Sequence, residues 1–447
     1  MSLCQKLVRT ASALALVAGF GTCYSACSAS MDVDGLRGGG RDGVDYLDLD
    51  VSNDAAAKSC IEASASQVLS SRPVDVIFVI DNSGSMTEEI ASIVKNINQH
   101  FVDEMVKAGL DYRVIMIVMH GQENQWNNTA CFEEPLSTIP KGGCATIGNN
   151  PPGNNPGKFY HYSYDVQSND SPCIIIDTLT ATNNRPDTFG LAPDGWVKWL
   201  RKSAFKVFIE VTDDMPSCWW YPDPNKPNGK KVFNDFASGL GGQIMALEFD
   251  KTLTKLFPDQ FGTPEKRNYV FYSIVGMSEK PVATDDDTGL LIDPAGKPED
   301  PFAPSEGITG DLCSTAVSPG FGYQWLSKMT GGLRFPVCQA DKFDIVFEKM
   351  AESIDSITST MCTVDIAQAT SKGEVDVATV TLTAELNNGD VVILKNVESP
   401  EKCSGAGYEF YYDKQSSVVA LCPDTCTSIK SISKNVKVTA GCIEPIN

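Results

Sequence analysis

The residues with the clearest chemical potential are Asp81, Ser83 and Ser85, in the run Asp81-Asn82-Ser83-Gly84-Ser85. One carboxylate and two hydroxyls at alternate positions can turn toward a single hard cation. An all-oxygen donor set with few protein charges suits octahedral Mg2+, with Mn2+ and Ca2+ as alternatives. Helix capping would account for one such residue, not three. The run follows Val74–Ile80 (VDVIFVI), a continuous apolar stretch typical of a strand buried on both faces. It precedes Ile90, Ile93, Val94, Ile97, Phe101, Val102 and Met105, whose spacing is helical. Strand, loop and helix in that order put the donors at the carboxyl end of a strand, where open α/β sheets bind ligands.

Further elements would complete such a sheet. Residues 113–119 (RVIMIVM), 206–212 (KVFIEVT), 269–275 (YVFYSIV) and 333–337 read as buried strands, and 159–166 as an edge strand. Helices are expected at 171–181, 233–257 and 322–329, and along Phe343, Val346, Phe347, Met350, Ile354 and Ile357. The alternation predicts an α/β domain over 60–360 with a doubly wound, mostly parallel, Rossmann-like sheet. Two insertions interrupt it: 120–158, rich in Asn, Gly and Pro, and the acidic stretch 278–310. After Met361 the pattern changes to short alternating strands at 375–386, 391–397, 408–412, 418–421 and 436–439. An Asn388-Gly389 turn joins the first two. These predict a small, disulfide-rich all-β domain at 361–447.

Asp-x-Ser-x-Ser in this setting resembles the metal-ion-dependent adhesion site (MIDAS) of von Willebrand factor A (vWA) domains. The resemblance runs over residues 70–357, with the order of strands and helices kept. That family adds a threonine from a second loop and an aspartate from a third. KVFIEVTDD resembles the family's strand ending in Thr-Asp-Gly; Asp213 falls on the aspartate position, and Asp214 stands where the family has glycine. In Val166-Gln167-Ser168-Asn169-Asp170, Ser168 takes the threonine position with an equivalent hydroxyl, and Asp170 offers a further carboxylate. The resemblance implies that Asp81, Ser83, Ser85, Ser168 and Asp213 hold the ion. It also implies a coordination position left for an Asp or Glu side chain of a protein partner. The loops 120–158 and 215–231 would then select that partner. Trp219, Trp220 and Tyr221 in the second loop read either as interface anchors or as cover for a disulfide at Cys218.

Composition narrows the setting. The 447 residues carry 36 basic and 57 acidic side chains, a net charge of −21, which argues against nucleic-acid and anionic-lipid partners. Lys6 and Arg9 followed by the short apolar run 11–21 read as an export signal over 1–27. Ser25-Ala26-Cys27 satisfies the small positions of a lipoprotein signal, while Tyr24 stands where an aliphatic residue is wanted; lipidation at Cys27 and simple cleavage near Ala29 both stand. Such an anchor is the one membrane contact expected. Residues 28–59, rich in Gly and Asp, are expected to form a flexible linker. Of 15 cysteines, twelve lie beyond the signal, an even number without the paired spacing of a zinc site. Disulfides in an oxidising compartment follow, with Cys131–Cys144 and Cys313–Cys338 as the expected local pairs.

Order of signal, spacer, vWA-like domain and Cys-rich end resembles exported bacterial vWA-containing proteins and lipoproteins, in the cell envelope or secreted. An enzyme is not expected. Phosphoaspartate sites want a second aspartate where Ser83 stands, Gly84-Ser85 lacks the glycine pattern of a nucleophile elbow, and His100, His120 and His161 are isolated. The alternatives are a metal-stabilised envelope scaffold and a metal-dependent hydrolase.

Overall fold

The seven residues Val74–Ile80 are all fully or nearly fully buried, and alternate ones enter different cores. Val74, Val76, Phe78 and Ile80 join one apolar cluster; Ile77 and Val79 join another. A strand whose two faces both meet apolar side chains must lie inside a sheet covered on both sides. The structure is a computed structural model. It describes residues 59–67, 70–121, 128–180, 185–220, 231–280, 300–359, 361–365, 375–405, 407–414, 418–430 and 432–441, all within the unit Ala57–Asn447. The expected signal and most of the linker, Tyr221 and much of 278–310 lie outside the described residues.

Strands β1 (Ser59–Gln67) and β2 (Ser70–Ser71) come first, then β3 (Val74–Ile80). Helices α1 (Thr87–Asn96) and α2 (Val102–Lys107) follow, joined without a break by a π-helical turn at Ile97–Phe101. Next come β4 (Tyr112–Ile117), β5 (Phe159–Tyr162), α3 (Ser171–Thr178) and β6 (Phe205–Val211). Strands β7 (Ser217–Trp220) and β8 (Lys231–Asn234) lead to α4 (Gly239–Leu256), α5 (Pro258–Phe261) and β9 (Tyr269–Val275). The α/β part closes with α6 (Phe321–Thr330), β10 (Arg334–Pro336) and α7 (Phe343–Ser359).

Six of these strands form one sheet in the order β10-β9-β6-β3-β4-β5, and every neighbouring pair is parallel. Counted within the sheet this is the 3-2-1-4-5-6 order of nucleotide-binding α/β folds, and the strand order reverses between β3 and β6. Residues from α1, α2 and α7 fill one face; residues from α3, α4 and α6 fill the other. On the first face Phe78, Phe101 and Phe347 meet edge to face, with centroids 5.3, 5.7 and 6.0 Å apart. Each such buried ring contributes about 2 kcal/mol, so this trio fixes α1–α2 and α7 against β3.

A second sheet of eight strands runs β1-β16-β12-β13-β14-β15-β11-β2. It adds β11 (Cys362–Asp365), β12 (Thr381–Leu386), β13 (Val391–Asn396), β14 (Glu409–Asp413), β15 (Val418–Leu421) and β16 (Ser433–Gly441). Its pairs are antiparallel except β13 with β14. Two disulfides, Cys362–Cys426 and Cys403–Cys422, belong to this part. The strands β1 and β2, which precede the parallel sheet in the chain, hydrogen-bond here with β16 and β11.

Two local expectations differ. The last region is not wholly β: Pro423–Lys430 forms helix α8, opened by Pro423, with Cys426 and Ile429 buried one turn apart. That stretch is short and polar, so its helical face shows only once Cys426 is tied to Cys362. The helix expected over 233–257 begins only after Ser238, whose side chain caps it by accepting from the Gly241 N–H. Before it, β8 pairs antiparallel with β7, and Phe236 and Ala237 turn the chain through positive φ of 50° and 47°.

Candidate functional site

Asp81 and Asp213 stand just past the carboxyl ends of β3 and β6, the two strands between which the sheet order reverses. Ligands of open α/β sheets bind in that crevice. The sheet register places the two ends side by side: Ile80 is opposite Val211, and the Asp81 N–H donates to the Val211 carbonyl at 3.0 Å.

Asp81 is fully buried. Its Oδ1 accepts from the Ser83 N–H at 2.8 Å and its Oδ2 from the Thr212 hydroxyl at 2.8 Å. Burial raises its pKa to about 7; the contacts to Ser83 and Thr212 pull it down, and nearby Asp213 pushes it up. Ser83 and Ser85 bring their hydroxyls to 3.2 Å, with Ser85 exposed to solvent. Asp213 is buried to 2% exposure, and neither of its carboxylate oxygens has a hydrogen bond of normal geometry. Burial raises its pKa, and the Ser85 hydroxyl beside it pulls the other way. Its backbone carbonyl is held instead, accepting from the Val317 and Ser318 N–H groups at 2.9 and 3.0 Å. A side chain at Gly276 would approach the Ser318 carbonyl to 2.1 Å and the Asp213 carbonyl to 3.0 Å, so this close passage requires glycine.

Ser168 is half-buried on the 166–170 loop, and its carbonyl lies 3.4 Å from the Thr212 hydroxyl. Neighbouring Asn169 ties this loop to the β7 entrance, donating its side-chain amide to Met215 and accepting from the Ser217 N–H. The disulfide Cys173–Cys218 reinforces that join. Asp170 is engaged elsewhere, accepting from the Gln167 N–H at 2.9 Å and facing Arg185 at 3.7 Å. Trp219 is 64% exposed on β7; Trp220 is the last residue of that strand.

Several site residues had weaker signals in the sequence. Thr212 orients Asp81, although the sequence marks it only as the threonine of a strand end and gives it no role at the site. Asn82, the unspecified position of Asp-x-Ser-x-Ser, is fully buried and clamps its own loop to two others. Its Oδ1 accepts from the Val166 N–H at 2.7 Å and its Nδ2 donates to Asp165 at 2.7 Å, while its carbonyl accepts from the Asn128 N–H at 3.0 Å. Asn128, from the insertion after β4, donates to the Ser83 carbonyl and accepts from the Thr87 hydroxyl. The insertion, stapled by Cys131–Cys144, therefore reaches into the site loop. Glu89, buried in the first turn of α1, feels the Asp213 charge, and burial raises its own pKa.

The residues present fit a hard cation. Asp81 and Asp213 bring two buried carboxylates, the second with no hydrogen bond of normal geometry, and Ser83 and Ser85 add two converging hydroxyls. Uncompensated buried carboxylates are costly and are normally relieved by a positive charge or a metal. Among the described residues, no group of three or more His, Cys, Asp or Glu is placed to hold a metal, so any ion here would depend on these hydroxyls.

No protein-family model matches this chain, and no curated protein matches it. Among solved structures, the pilus adhesin RrgA of Streptococcus pneumoniae is similar at 12% sequence identity and a TM-score of 0.20, over 83% of this chain. The match spans 57% of that structure. So loose a superposition carries no argument about fold or function.

Five disulfides are formed among the described residues, including Cys131–Cys144 and Cys313–Cys338. They mark a chain that folds under oxidising conditions. Among the described residues no helix is long and apolar enough to cross a membrane.

Proposed function

We propose that this chain is an exported binding protein, not an enzyme, with a vWA-type domain that captures a protein partner through a divalent cation. The observation that carries the reading is the pair Asp81 and Asp213 at the strand-order reversal, with both Asp213 oxygens buried and without a hydrogen bond of normal geometry. Asp81, Ser83 and Ser85 would hold the ion, with Ser168 and Asp213 completing the set; Mg2+ suits these donors, with Mn2+ or Ca2+ as alternatives. When bound, the ion supplies an electrophilic centre at which a carboxylate of the partner completes the coordination.

The chain's own groups do the positioning. Thr212 and the Ser83 N–H aim the Asp81 carboxylate. Asn82 and Asn128 lock the serine loop to the insertion, so the donors are held before binding and little ordering cost remains. Exposed Trp219 would supply an anchor on β7, which is tied to the Ser168 loop. Five disulfides support export, and a lipid anchor at Cys27 would keep the protein at the cell envelope.

The test combines titration of Mg2+ or Mn2+ into the purified chain with capture from cell envelope and medium, in Mg2+ against EDTA, for the wild type and Asp81→Ala. One ion bound, and a partner retained in Mg2+ and released by EDTA, both lost in Asp81→Ala, support the reading. Ion binding without any metal-dependent capture would favour a scaffold stabilised by its ion, and no ion binding at all would end the proposal.

A further inference from the structure

Helix α4 buries one side: Met245, Ala246, Phe249 and Leu253 join the apolar cluster on its face of the sheet. Its other side carries apolar residues into water. Leu240, Ile244 and Leu247 are 70%, 59% and 52% exposed. At about 3.6 residues per turn these three, with Lys251 and Lys255, fall within an arc of about 80°. Both lysines are exposed, and neither takes part in an ion pair among the described residues. Of the acids on α4, Asp250 is buried and paired with Arg267, and Glu248 is half-buried at the border of the stripe. Phe236, about one turn before Leu240, is 70% exposed and holds φ at 50°. A bulky side chain in that left-handed region is strained. The backbone is kept there because the Phe236 and Ala237 N–H groups donate to the side chains of Asn234 and Asp235. A strained turn thus sets an aromatic ring in solvent just before α4.

Single exposed apolar residues are ordinary; three along one line of a helix are not. They present on the order of 300 Å2 of apolar surface, a patch of the size that is often functional on a monomer. Spacing narrows the occupant. Leu240, Ile244, Leu247 and Lys251 follow one another at four, three and four residues, the roughly 3.5-residue repeat along which a second helix packs. Charge narrows it further. The apolar line continues into two lysines in a chain of net charge −21, so a partner helix gains by carrying acids there. A second copy does not gain. Parallel pairing would set lysines against lysines, and antiparallel pairing would set them against the positive end of the other α4. Two chains so acidic also repel.

We propose that Leu240, Ile244, Leu247, Lys251 and Lys255 of α4 form a docking face for an amphipathic helix whose apolar seam is flanked by Asp or Glu. The three apolar side chains would bury against that seam, and the two lysines would pair with its acids. Phe236 stands at the end where the apolar part begins. This face stands on its own residues and does not depend on the reading of the Asp81–Asp213 site.

The probes are two labelled synthetic peptides of about three heptads with Leu at a and d, one with Glu at every e and g position and the other with Lys; like charges keep each from pairing with itself. Fluorescence anisotropy reads their binding to the full chain in EDTA. An interface this small predicts micromolar binding of the Glu peptide. It should bind at least about tenfold tighter than the Lys peptide, against the pull of the chain's net charge. Ile244→Glu, and separately Leu240→Ser, should each weaken it by about tenfold or more and leave the melting temperature unchanged, because both side chains are exposed. Lys251→Glu with Lys255→Glu should turn the preference toward the Lys peptide. Tighter binding of the Lys peptide to the wild type, no binding of either, or Glu-peptide binding that survives Ile244→Glu overturns the proposal. Sedimentation showing a dimer that Ile244→Glu dissociates would assign the face to a second copy, and binding to phosphatidylcholine vesicles lost in Ile244→Glu would assign it to lipid. Either result also overturns it.

Discussion

Replacing Asp81 by asparagine tests the electrostatic argument directly. In the folded chain the Asp81 carboxyl is buried and its pKa is raised from 3.8 to about 7. A folded acid with a raised pKa keeps its proton between pH 4 and 7 while the unfolded chain releases it. Without metal, the stability it contributes is therefore lost as pH rises through that window. A shift of this size corresponds to about 4 kcal/mol of penalty above pH 7. Asparagine keeps the acceptor for the Ser83 N–H but turns an amide toward the Thr212 hydroxyl, which must then rotate to accept. Allowing about 1 kcal/mol for that exchange, Asp81→Asn should stabilise the metal-free protein at pH 8 by about 3 kcal/mol. At pH 5 it should change little. Saturating Mg2+ should reverse the order, because only the wild type gains from the ion. The assay is denaturant unfolding in EDTA at pH 5 and 8, repeated with Mg2+ at pH 8. A wild type as stable as Asp81→Asn in EDTA at pH 8, with no response to Mg2+, would refute the claim that Asp81 is a buried charge awaiting a cation.

Other outcomes follow from particular contacts. Thr212→Val removes the donor to Asp81 Oδ2 and should weaken Mg2+ binding on the order of 10- to 100-fold, whereas Thr212→Ser should stay near wild type; calorimetric titration reads both. Cys173→Ala with Cys218→Ala opens a bond spanning 45 residues, and chain entropy gives a loss of about 4 kcal/mol, measured as a lower denaturant midpoint. Trp219→Ala removes an exposed ring, so stability should move by no more than about 0.5 kcal/mol. Retention of the metal-dependent partner should fall at least about tenfold if that ring is an anchor; unchanged retention would leave Trp219 as surface.

Much of the α/β part was legible because its strands are so strongly apolar. Val74–Ile80, Phe205–Val211 and Tyr269–Val275 are buried at every position, and a strand with two apolar faces can be read without knowing its neighbours. The edge of the sheet was less legible, since β5 covers only Phe159–Tyr162 of the alternating stretch. The hairpin β7–β8 was missed because its pairing depends on a partner strand more than on local pattern. In the same way α8 depends on a cross-link to Cys362, and β1 and β2 find partners about 370 and about 290 residues further along the chain, respectively, a separation that only loop closure in three dimensions can bridge.

For the candidate site the division is sharper. Residue types and their spacing were enough to single out Asp81, Ser83 and Ser85, because alternate donors after a buried strand are visible in a line of sequence. Asp213 was marked by the same kind of strand end. Only tertiary structure set β3 beside β6, so that two strand ends 132 residues apart share one crevice. It also brought Thr212 onto Asp81, Asn128 from a distant insertion onto Ser83, and left the Asp213 oxygens buried without a hydrogen bond of normal geometry. Donor chemistry is a property of side chains and can be read singly. Orientation, burial and missing partners are properties of neighbours, and those exist only once the chain has folded.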